Sequence, residues 1–198
     1  MARPPDVRLA RGDLILIQIV DRAMTEAAQL AGARLACRPG CTECCIGAFL
    51  ITALDARRLR AGLAELDRVD PVKAARVRER AALAAAVTQP YAAEPEEEFA
   101  ARFATMPCSA LEPSSGWCDL YAWRPVACRT FGPPVRFGED EPPPCRLCFA
   151  GADNREVERC RVDVDPDGLE EALLAELDEP DTIVAFALAA DQAPPASL

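Results

Sequence analysis

The sequence predicts a mostly α fold, a small helical domain in which helices are interrupted by two cysteine-rich irregular loops. Apolar residues recur at spacings of three and four over much of the chain, which is the period of a helix face. Several of these runs follow Thr or Asp, which are preferred helix caps. From about residue 106 to residue 160, the density of proline excludes long helices and central strands. The length of 198 residues suits one domain, which we take as residues 1–198.

The first three helices each have a sequence signal. A helix is expected over roughly residues 12–36, where Asp13 is a candidate cap and the apolar residues form one stripe. Thr52 is followed three residues later by an acidic side chain, which resembles a capping box and begins the second helix. Asp70 and Pro71 supply an N-cap and a first-turn proline for the third, which continues through the Ala-rich stretch that follows.

The remaining elements are shorter. An acidic start and paired aromatic residues predict a short helix over residues 94–105. The proline-rich stretch after it is expected to be irregular, with one short hairpin around residues 117–121. The dipeptide Asp165-Pro166 predicts a helix over residues 165–178, and a last helix is expected at about 181–191. The C-terminal helices therefore occupy about residues 165–191.

The composition excludes several kinds of site. Histidine is absent, which excludes Ser-His-Asp and Cys-His catalytic arrangements and any imidazole metal ligand. The chain also has no G-x-G-x-x-G or P-loop motif, so the sequence leaves open whether it is an enzyme. The apolar fraction is 51%, but Ala and Cys make up almost half of it. The hydrophobic core is therefore thin, and a further source of stability is expected.

Charge and segment composition limit the partners. The net charge is −10, with 22 Lys and Arg against 32 Asp and Glu, so the chain lacks the general basic surface that nucleic acid requires. The apolar runs are too short for a membrane span, and we find no targeting segment. We therefore expect a cytoplasmic protein with no membrane or nucleic-acid partner. In a reducing compartment, many cysteines indicate metal binding or redox chemistry more often than disulfides.

The densest cysteine motif is a C-x3-C-x2-C-C loop. Its members are Cys37, Cys41, Cys44 and Cys45. A Pro-Gly turn within the loop lets the backbone fold around a metal. Four cysteines on such a turn-rich loop indicate metal ligands rather than small hydrophobic residues of a buried core. Successive side chains of an extended segment point apart, so we expect Cys44 and Cys45 to serve two ions, or two irons of one cluster.

The second cysteine group lies in the proline-rich stretch. Its members are Cys108, Cys118, Cys128, Cys145 and Cys148, with Cys160 beyond. Arg124 and Arg129 flank Cys128, and a guanidinium close to a thiolate lowers its pKa and donates hydrogen bonds to the sulfur. The alternative is that both arginines pair with carboxylates. Asp119 and Glu43 stand beside candidate ligands in the sequence, where we expect them to cap helices or face solvent.

These motifs resemble a known family. Three motifs occur in order: the C-x3-C-x2-C-C loop, then Trp117-Cys118-Asp119-Leu120-Tyr121, then Arg124-Pro125-Val126-Ala127-Cys128-Arg129-Thr130-Phe131. In this order they resemble the motifs of the YkgJ-type cysteine-cluster proteins, the CxxCxxCC family. The resemblance covers about residues 36–148 and implies a zinc- or iron-chelating domain, with flagellin lysine N-methylases among its relatives. The metal ligands that it implies are Cys37, Cys41, Cys44, Cys45, Cys108, Cys118, Cys128 and Cys145. Here the first spacing is three residues rather than two, and Cys148 and Cys160 are additional.

The donor set points to a soft metal. Zinc takes four ligands in a closed structural site, and iron–sulfur clusters are also held by cysteine thiolates. We favour an iron–sulfur cluster over zinc, because the ligands are all cysteines, two arginines flank Cys128, and the resemblance includes a methylase branch. The C-x3-C-x2-C spacing also occurs in radical-SAM enzymes, but this chain lacks the repeated strand–helix units of that barrel.

Three classes of function follow from these observations. In the first, both loops converge on an all-thiolate metal centre that holds the helices together and supports redox or methyl-transfer chemistry. In the second, the chain is a structural zinc-chelating domain that acts through a protein partner and has no catalysis. In the third, it is a thiol buffer or metal store, which capped helices with ordered apolar faces do not favour.

Overall fold

Helices provide most of the regular structure in the computed structural model, which describes residues 7–38 and 40–189. The α-helices within these residues are α1 (Val7–Ala31), α2 (Ala53–Val69), α3 (Pro71–Thr88), α4 (Glu96–Arg102), α5 (Val126–Thr130), α6 (Asn154–Arg159), α7 (Leu169–Leu177) and α8 (Val184–Ala189). Short 3-10 turns occur at Gly32–Arg34, Glu43–Cys45, Gln89–Tyr91 and Tyr121–Trp123. The mostly α class predicted from the sequence is confirmed. No helix in the described ranges is long and apolar enough to cross a membrane.

Three pairs of two-residue strands complete the described structure. The strands are β1 (Leu50–Ile51), β2 (Leu111–Glu112), β3 (Trp117–Cys118), β4 (Val135–Arg136), β5 (Val162–Asp163) and β6 (Thr182–Ile183). β1 pairs with β6 and β2 with β3 in antiparallel fashion, whereas β4 and β5 are parallel. The hairpin expected around residues 117–121 is therefore present but begins earlier. Its turn is closed by the Gly116 amide, which donates to the Glu112 carbonyl over 2.9 Å.

The described chain divides into two compact units. Unit A contains residues 7–38 and 126–178, and unit B contains residues 40–125 and 179–189. Each unit is built from an N-terminal segment and a later one, so each brings distant parts of the sequence together.

Unit B is organised by α2, α3 and α8. Leu59 and Leu63 of α2 pack with Val77 of α3 and Leu188 of α8 in one buried cluster. Thr52 caps α2 by accepting a hydrogen bond from the Asp55 amide, and Asp70 caps α3 through the Lys73 amide at 2.9 Å. Both predicted caps are therefore confirmed. Trp123 lies so close to Gly62 that a Cβ there would be 2.3 Å from the indole ring.

Unit A is organised by one face of α1. The buried residues Leu16 and Val20 of this helix pack against Val135 and Val162 of the parallel strand pair. A second buried cluster contains Cys145, Cys148 and Cys160 together with Ala31 and Phe149.

Two of the predicted helix starts are wrong. α1 begins at Val7 rather than near residue 12, because the apolar stripe already includes the buried Leu9, and Asp13 therefore lies inside the helix. The helix predicted at residue 165 begins at Leu169, since a glycine with φ of +66° forms the N-cap. Asp165 still caps it, because its carboxylate accepts hydrogen bonds from the Leu169 and Glu170 amides.

The shorter predictions also need correction. The last helix begins at Val184, because Thr182–Ile183 pairs with β1 as a strand, and residues 190–191 of that prediction lie outside the described residues. The helix expected over 94–105 is limited to Glu96–Arg102. The region expected to be irregular contains the short helices α5 and α6, which fit between its prolines.

Replacing Asp70 tests whether its side chain holds the junction of α2 and α3. Asp70→Ala removes the acceptor of the Lys73 amide, and we expect a loss of about 1 kcal/mol in the free energy of unfolding. Asp70→Asn keeps an acceptor oxygen at the cap, so it should lose less. Urea unfolding of the three proteins measures both values. Equal stability of wild type and Asp70→Ala would show that this cap is not a source of stability.

Candidate metal centre

All ten cysteines are present as thiols in the described residues, and each unit contains five of them. Unit B contains Cys41, Cys44, Cys45, Cys108 and Cys118, and unit A contains Cys37, Cys128, Cys145, Cys148 and Cys160. The two cysteine-rich loops of the sequence therefore both contribute to each unit.

The adjacent cysteines of unit B lie on one tight turn. Cys44 and Cys45 belong to the 3-10 turn Glu43–Cys45, which the Cys45 amide closes by donating to the Thr42 carbonyl over 2.8 Å. Their sulfur atoms are 3.9 Å apart. The expectation that these side chains point apart is wrong, because it assumed an extended segment and the segment is a helical turn.

Backbone hydrogen bonds join this turn to the segment around Cys108. The Gly47 amide donates to the Met106 carbonyl over 2.8 Å, and the Cys108 amide donates to the Cys45 carbonyl over 2.7 Å. Ile46 and Pro107 form an isolated antiparallel bridge between these two bonds. The first cysteine loop and the start of the second are therefore held side by side within unit B.

The hairpin adds Cys118. Cys118 lies opposite Leu111 in the β2–β3 pair, and the Leu111 amide donates to the Cys108 carbonyl over 3.0 Å. Cys108 and Cys118 both pack against the α2–α3–α8 core while remaining partly exposed. We call Cys44, Cys45, Cys108 and Cys118 the thiol cluster. Cys41 lies between Gly40 and Thr42, and both of these residues pack against Gly116 at the tip of the hairpin. A Cβ at Gly116 would be 3.5 Å from Thr42 Cγ2 and 3.6 Å from the Gly40 carbonyl oxygen.

The surroundings of the thiol cluster disfavour negative charge on sulfur. The hydrogen bond with Cys45, followed by burial, raises the pKa of Cys44 far above its usual value. Burial raises the pKa of Cys108 to about 11, and burial also raises the pKa of Cys118. The mutual repulsion of the Cys44, Cys108 and Cys118 thiolates adds to these shifts. Thiolates in this position therefore need a compensating cation, which a bound metal ion supplies.

Arg124 supplies part of that positive charge. Its guanidinium lowers the pKa of both Cys44 and Cys118, although the other causes raise these values overall. The Arg124 guanidinium donates to the Tyr121 carbonyl over 3.1 Å and lies 3.7 Å from the centre of the Tyr121 ring. The Arg124 carbonyl accepts from the Arg58 guanidinium, which also forms a buried ion pair with Asp55 at 2.5 Å.

Arg129 is placed differently. It belongs to unit A, where its nearly buried guanidinium forms an ion pair with Asp21 at 2.8 Å. This contact is the carboxylate pairing that the sequence left as the alternative. The two arginines that flank Cys128 in the sequence therefore have different partners.

Three cysteines of unit A are buried together. The Cys148 amide donates to the Cys145 carbonyl over 2.7 Å, and burial raises the pKa of the Cys145 thiol. The Cys148 sulfur accepts from the Ala36 amide at 3.5 Å. The Cys160 thiol donates to the Leu30 carbonyl at 3.5 Å. Cys148 and Cys160 thus belong to a buried apolar cluster, where they pack as small hydrophobic side chains.

Cys37 and Cys128 are the more accessible cysteines of unit A. Cys37 is exposed, and a Cβ at Gly132 would lie 2.9 Å from its sulfur. The Gly132 carbonyl accepts from the Cys145 amide over 2.9 Å, which places Cys37 next to the segment that holds Cys145. Cys128 is half-buried on α5, four residues before this glycine.

The donor chemistry of the thiol cluster fits zinc or iron. Two thiolates that share one tetrahedral zinc ion are about 3.8 Å apart, given a Zn–S bond of about 2.3 Å. The 3.9 Å between the Cys44 and Cys45 sulfurs matches that separation. Across residues 7–38 and 40–189, no three Cys, Asp or Glu side chains already stand close enough to hold an ion together. Enclosing an ion would therefore require the side chains of Cys108 and Cys118 to turn toward Cys44 and Cys45.

The sequence missed two polar features beside the cluster. Asp119 was expected to cap a helix or face solvent, but its side chain is 4% exposed and pairs with Arg80 at 2.7 Å. Ser109 follows Cys108 directly, and its buried hydroxyl has no hydrogen-bond partner among the described residues. Helix α3 and the β2–β3 hairpin bring Arg80 and Asp119 together over a long sequence separation, which no local pattern indicates.

Comparison with known proteins identifies the family. The model of the CxxCxxCC family, described as "Putative zinc- or iron-chelating domain", matches residues 36–146. The match covers more than half of the chain, so the chain belongs to this family, and the resemblance seen in the sequence is confirmed. No curated protein and no solved structure matches the chain. The matched range includes Cys37 through Cys145 and ends before Cys148 and Cys160.

Gly132 offers a test of the packing around Cys37. Gly132 has a φ of +132°, and Gly132→Ala would place a Cβ 2.9 Å from the Cys37 sulfur. We expect a loss of about 2 kcal/mol in the free energy of unfolding, from backbone strain and from this close contact. Gly151→Ala is the matched control, because Gly151 also has a positive φ but its Cβ would meet open space.

Urea unfolding of both variants compares the two positions. A greater loss for Gly132→Ala than for Gly151→Ala is expected, since only the former meets Cys37 and its φ of +132° is also less favourable for a side chain than the +74° of Gly151. The placement of Cys37 would be contradicted if the two variants were equally stable.

Proposed function

We propose that this member of the CxxCxxCC family is a metal-chelating protein, and that the thiol cluster of unit B binds one zinc or iron ion. Cys44, Cys45, Cys108 and Cys118 are the ligands in this proposal. The observation that carries it is the 3.9 Å separation of the Cys44 and Cys45 sulfurs, on a turn that backbone hydrogen bonds attach to Cys108. The family match to a zinc- or iron-chelating domain supports the same chemistry.

The ligand set supports a single ion. Four thiolates complete the tetrahedron that zinc requires in a structural site, and iron accepts the same donors. The sequence alone favoured an iron–sulfur cluster, and it left Cys44 and Cys45 to serve either two ions or two irons of one cluster. Their common turn and short sulfur–sulfur distance instead support one shared ion.

The proposed ion would join segments that have little regular structure of their own. The 3-10 turn with Cys44 and Cys45, and the two-residue strands around Cys118, contribute few buried side chains. A metal bound there adds its binding free energy to folding, because the four ligands are not held together in the unfolded chain. The proposal therefore assigns the ion a structural role, and redox or methyl-transfer chemistry would need a substrate in addition.

Metal content of ligand variants tests the proposal. Wild-type protein purified without oxygen should carry one zinc or iron ion in unit B, and Cys44→Ser and Cys108→Ser should each carry one ion fewer per chain. Cys160→Ser is the matched control, because this buried thiol lies in unit A, where it donates to the Leu30 carbonyl as a serine also could. Metal analysis, acid-labile sulfide and the visible spectrum distinguish zinc, mononuclear iron and an iron–sulfur cluster.

The outcome separates the alternatives. Full metal content in both Cys44→Ser and Cys108→Ser would refute the proposed ligand set. If wild-type protein contains stoichiometric acid-labile sulfide and these variants lack it, the same thiols hold an iron–sulfur cluster rather than a single ion. Loss of metal in Cys160→Ser with an intact fold would place the metal in unit A instead.

Removing the metal should loosen unit B at a defined place. At a free metal concentration a thousand times the dissociation constant, binding stabilises the fold by about 4 kcal/mol. For a chain of this size, chelation should then lower the melting temperature by on the order of 10 °C. Hydrogen exchange at the Gly47 and Cys108 amides should accelerate, because their hydrogen bonds join the two ligand segments.

Amides in the middle of α3 serve as the internal control. Their exchange should change less, since Val77 and Ala81 keep their contacts with α2 and α8. Unchanged exchange at Gly47 and Cys108 after complete chelation would contradict a stabilising metal at this site.

A further inference from the structure

An open cavity of about 540 Å³ lies beside Cys118 in unit B. Its walls come from the start of α3 and from the β2–β3 hairpin. The residues that decide its chemistry are Lys73, Arg76, Glu112, Trp117, Cys118 and Asp119. The volume lies within the range of small-molecule sites, which combine apolar walls with a few polar groups that fix orientation.

The two acids of the cavity are already engaged by neighbouring groups. Asp119 is 4% exposed and accepts from Arg80 at 2.7 Å. Glu112 accepts from the amide and the hydroxyl of Ser114 at 3.2 and 3.0 Å and lies 3.8 Å from Arg80. These contacts hold both carboxylates in place and offset their negative charge.

The two bases at the wall are more available. The Lys73 ammonium is 3.9 Å from Asp119, a loose contact for an ion pair, and remains 39% exposed. Arg76 is exposed on α3, and its charge contributes to the lowered pKa of Glu112 across the cavity. The lining itself carries two bases and two acids, and Arg80, which is outside the lining, pairs with both acids. The three bases and two acids together leave one positive charge in excess in this part of a strongly acidic chain.

The hairpin supplies a flat apolar wall. The Trp117 indole is 52% exposed although it lies in a paired strand, and Cys118 follows it directly. An exposed indole next to a cation excess can stack on a planar group while the bases bind a negative one. This combination defines one class of ligand.

We propose that this cavity binds a small anion with a flat apolar part, such as an aromatic carboxylate. The negative group lies between Lys73 and Arg76, and the flat part packs on Trp117. This inference goes beyond metal chelation and does not require the metal. Because Cys118 lines the cavity and also belongs to the thiol cluster, a bound ligand would lie directly beside the proposed metal ion.

Benzoate is a suitable probe, and the two tryptophans of the chain report on it. In NMR spectra of nitrogen-15-labelled protein, saturable benzoate binding should shift the indole N–H signal of Trp117. The indole N–H signal of Trp123, which packs against Gly62, should stay unchanged. Arg76→Gln should weaken benzoate binding about tenfold, since a hydrogen bond to a charged group is lost. Arg102→Gln is the matched control, because Arg102 pairs with Glu94 outside the cavity.

Benzyl alcohol and inorganic phosphate separate the two halves of the ligand. Benzyl alcohol keeps the ring without the charge and phosphate keeps a charge without the ring, so both should bind more weakly than benzoate. The proposal would be overturned by an absence of saturable benzoate binding, by unchanged affinity in Arg76→Gln, or by equal binding of either partial probe. Benzoate affinity is measured on both metal-loaded and metal-free protein. This test is therefore separate from the test of the metal site, which measures metal content.

Discussion

The pairing of residues 45–47 with residues 106–108 is the contact on which the candidate site depends. Two backbone hydrogen bonds of 2.7 and 2.8 Å, with the Ile46–Pro107 bridge between them, join the turn that contains Cys44 and Cys45 to Cys108. Backbone bonds of this kind do not depend on thiol protonation or on a metal. The backbone itself therefore holds the two ligand segments side by side, which lowers the entropy that metal binding would have to overcome.

Sequence reasoning succeeded where local chemistry determines structure. The caps at Thr52 and Asp70 were predictable, because an N-cap side chain acts within three residues of its own position. The division of the ten cysteines between two units was not predictable, since it depends on which distant segments of the chain pack together. The early start of α1 and the late start of α7 were missed because Leu9 is buried by tertiary contacts and Gly168 turns the chain before the helix.

The candidate ligands came from the sequence, and their arrangement depends on one local feature. All four residues of the thiol cluster were candidate ligands, but the sequence treated Cys44 and Cys45 as side chains of an extended segment. A 3-10 turn at these residues changes that conclusion, because successive side chains are about 120° apart around its axis rather than on opposite faces as in a strand, and the two sulfurs come within 3.9 Å. Arg124 and Arg129, equivalent in the sequence, were separated by α5, which begins between them.

Net charge is a poor guide to the surface beside the thiol cluster. The chain has ten more acidic than basic side chains, yet Lys73 and Arg76 line the cavity next to Cys118 and Arg80 pairs with Asp119 at its edge. The Arg124 guanidinium in turn lowers the pKa of both Cys44 and Cys118. Screening limits electrostatic influence to about 8–10 Å at physiological ionic strength, so distant carboxylates do not cancel these bases. The Arg124 charge beside the buried thiols and the Lys73 and Arg76 charges that line the cavity are therefore two separate, local departures from the acidic composition of the chain.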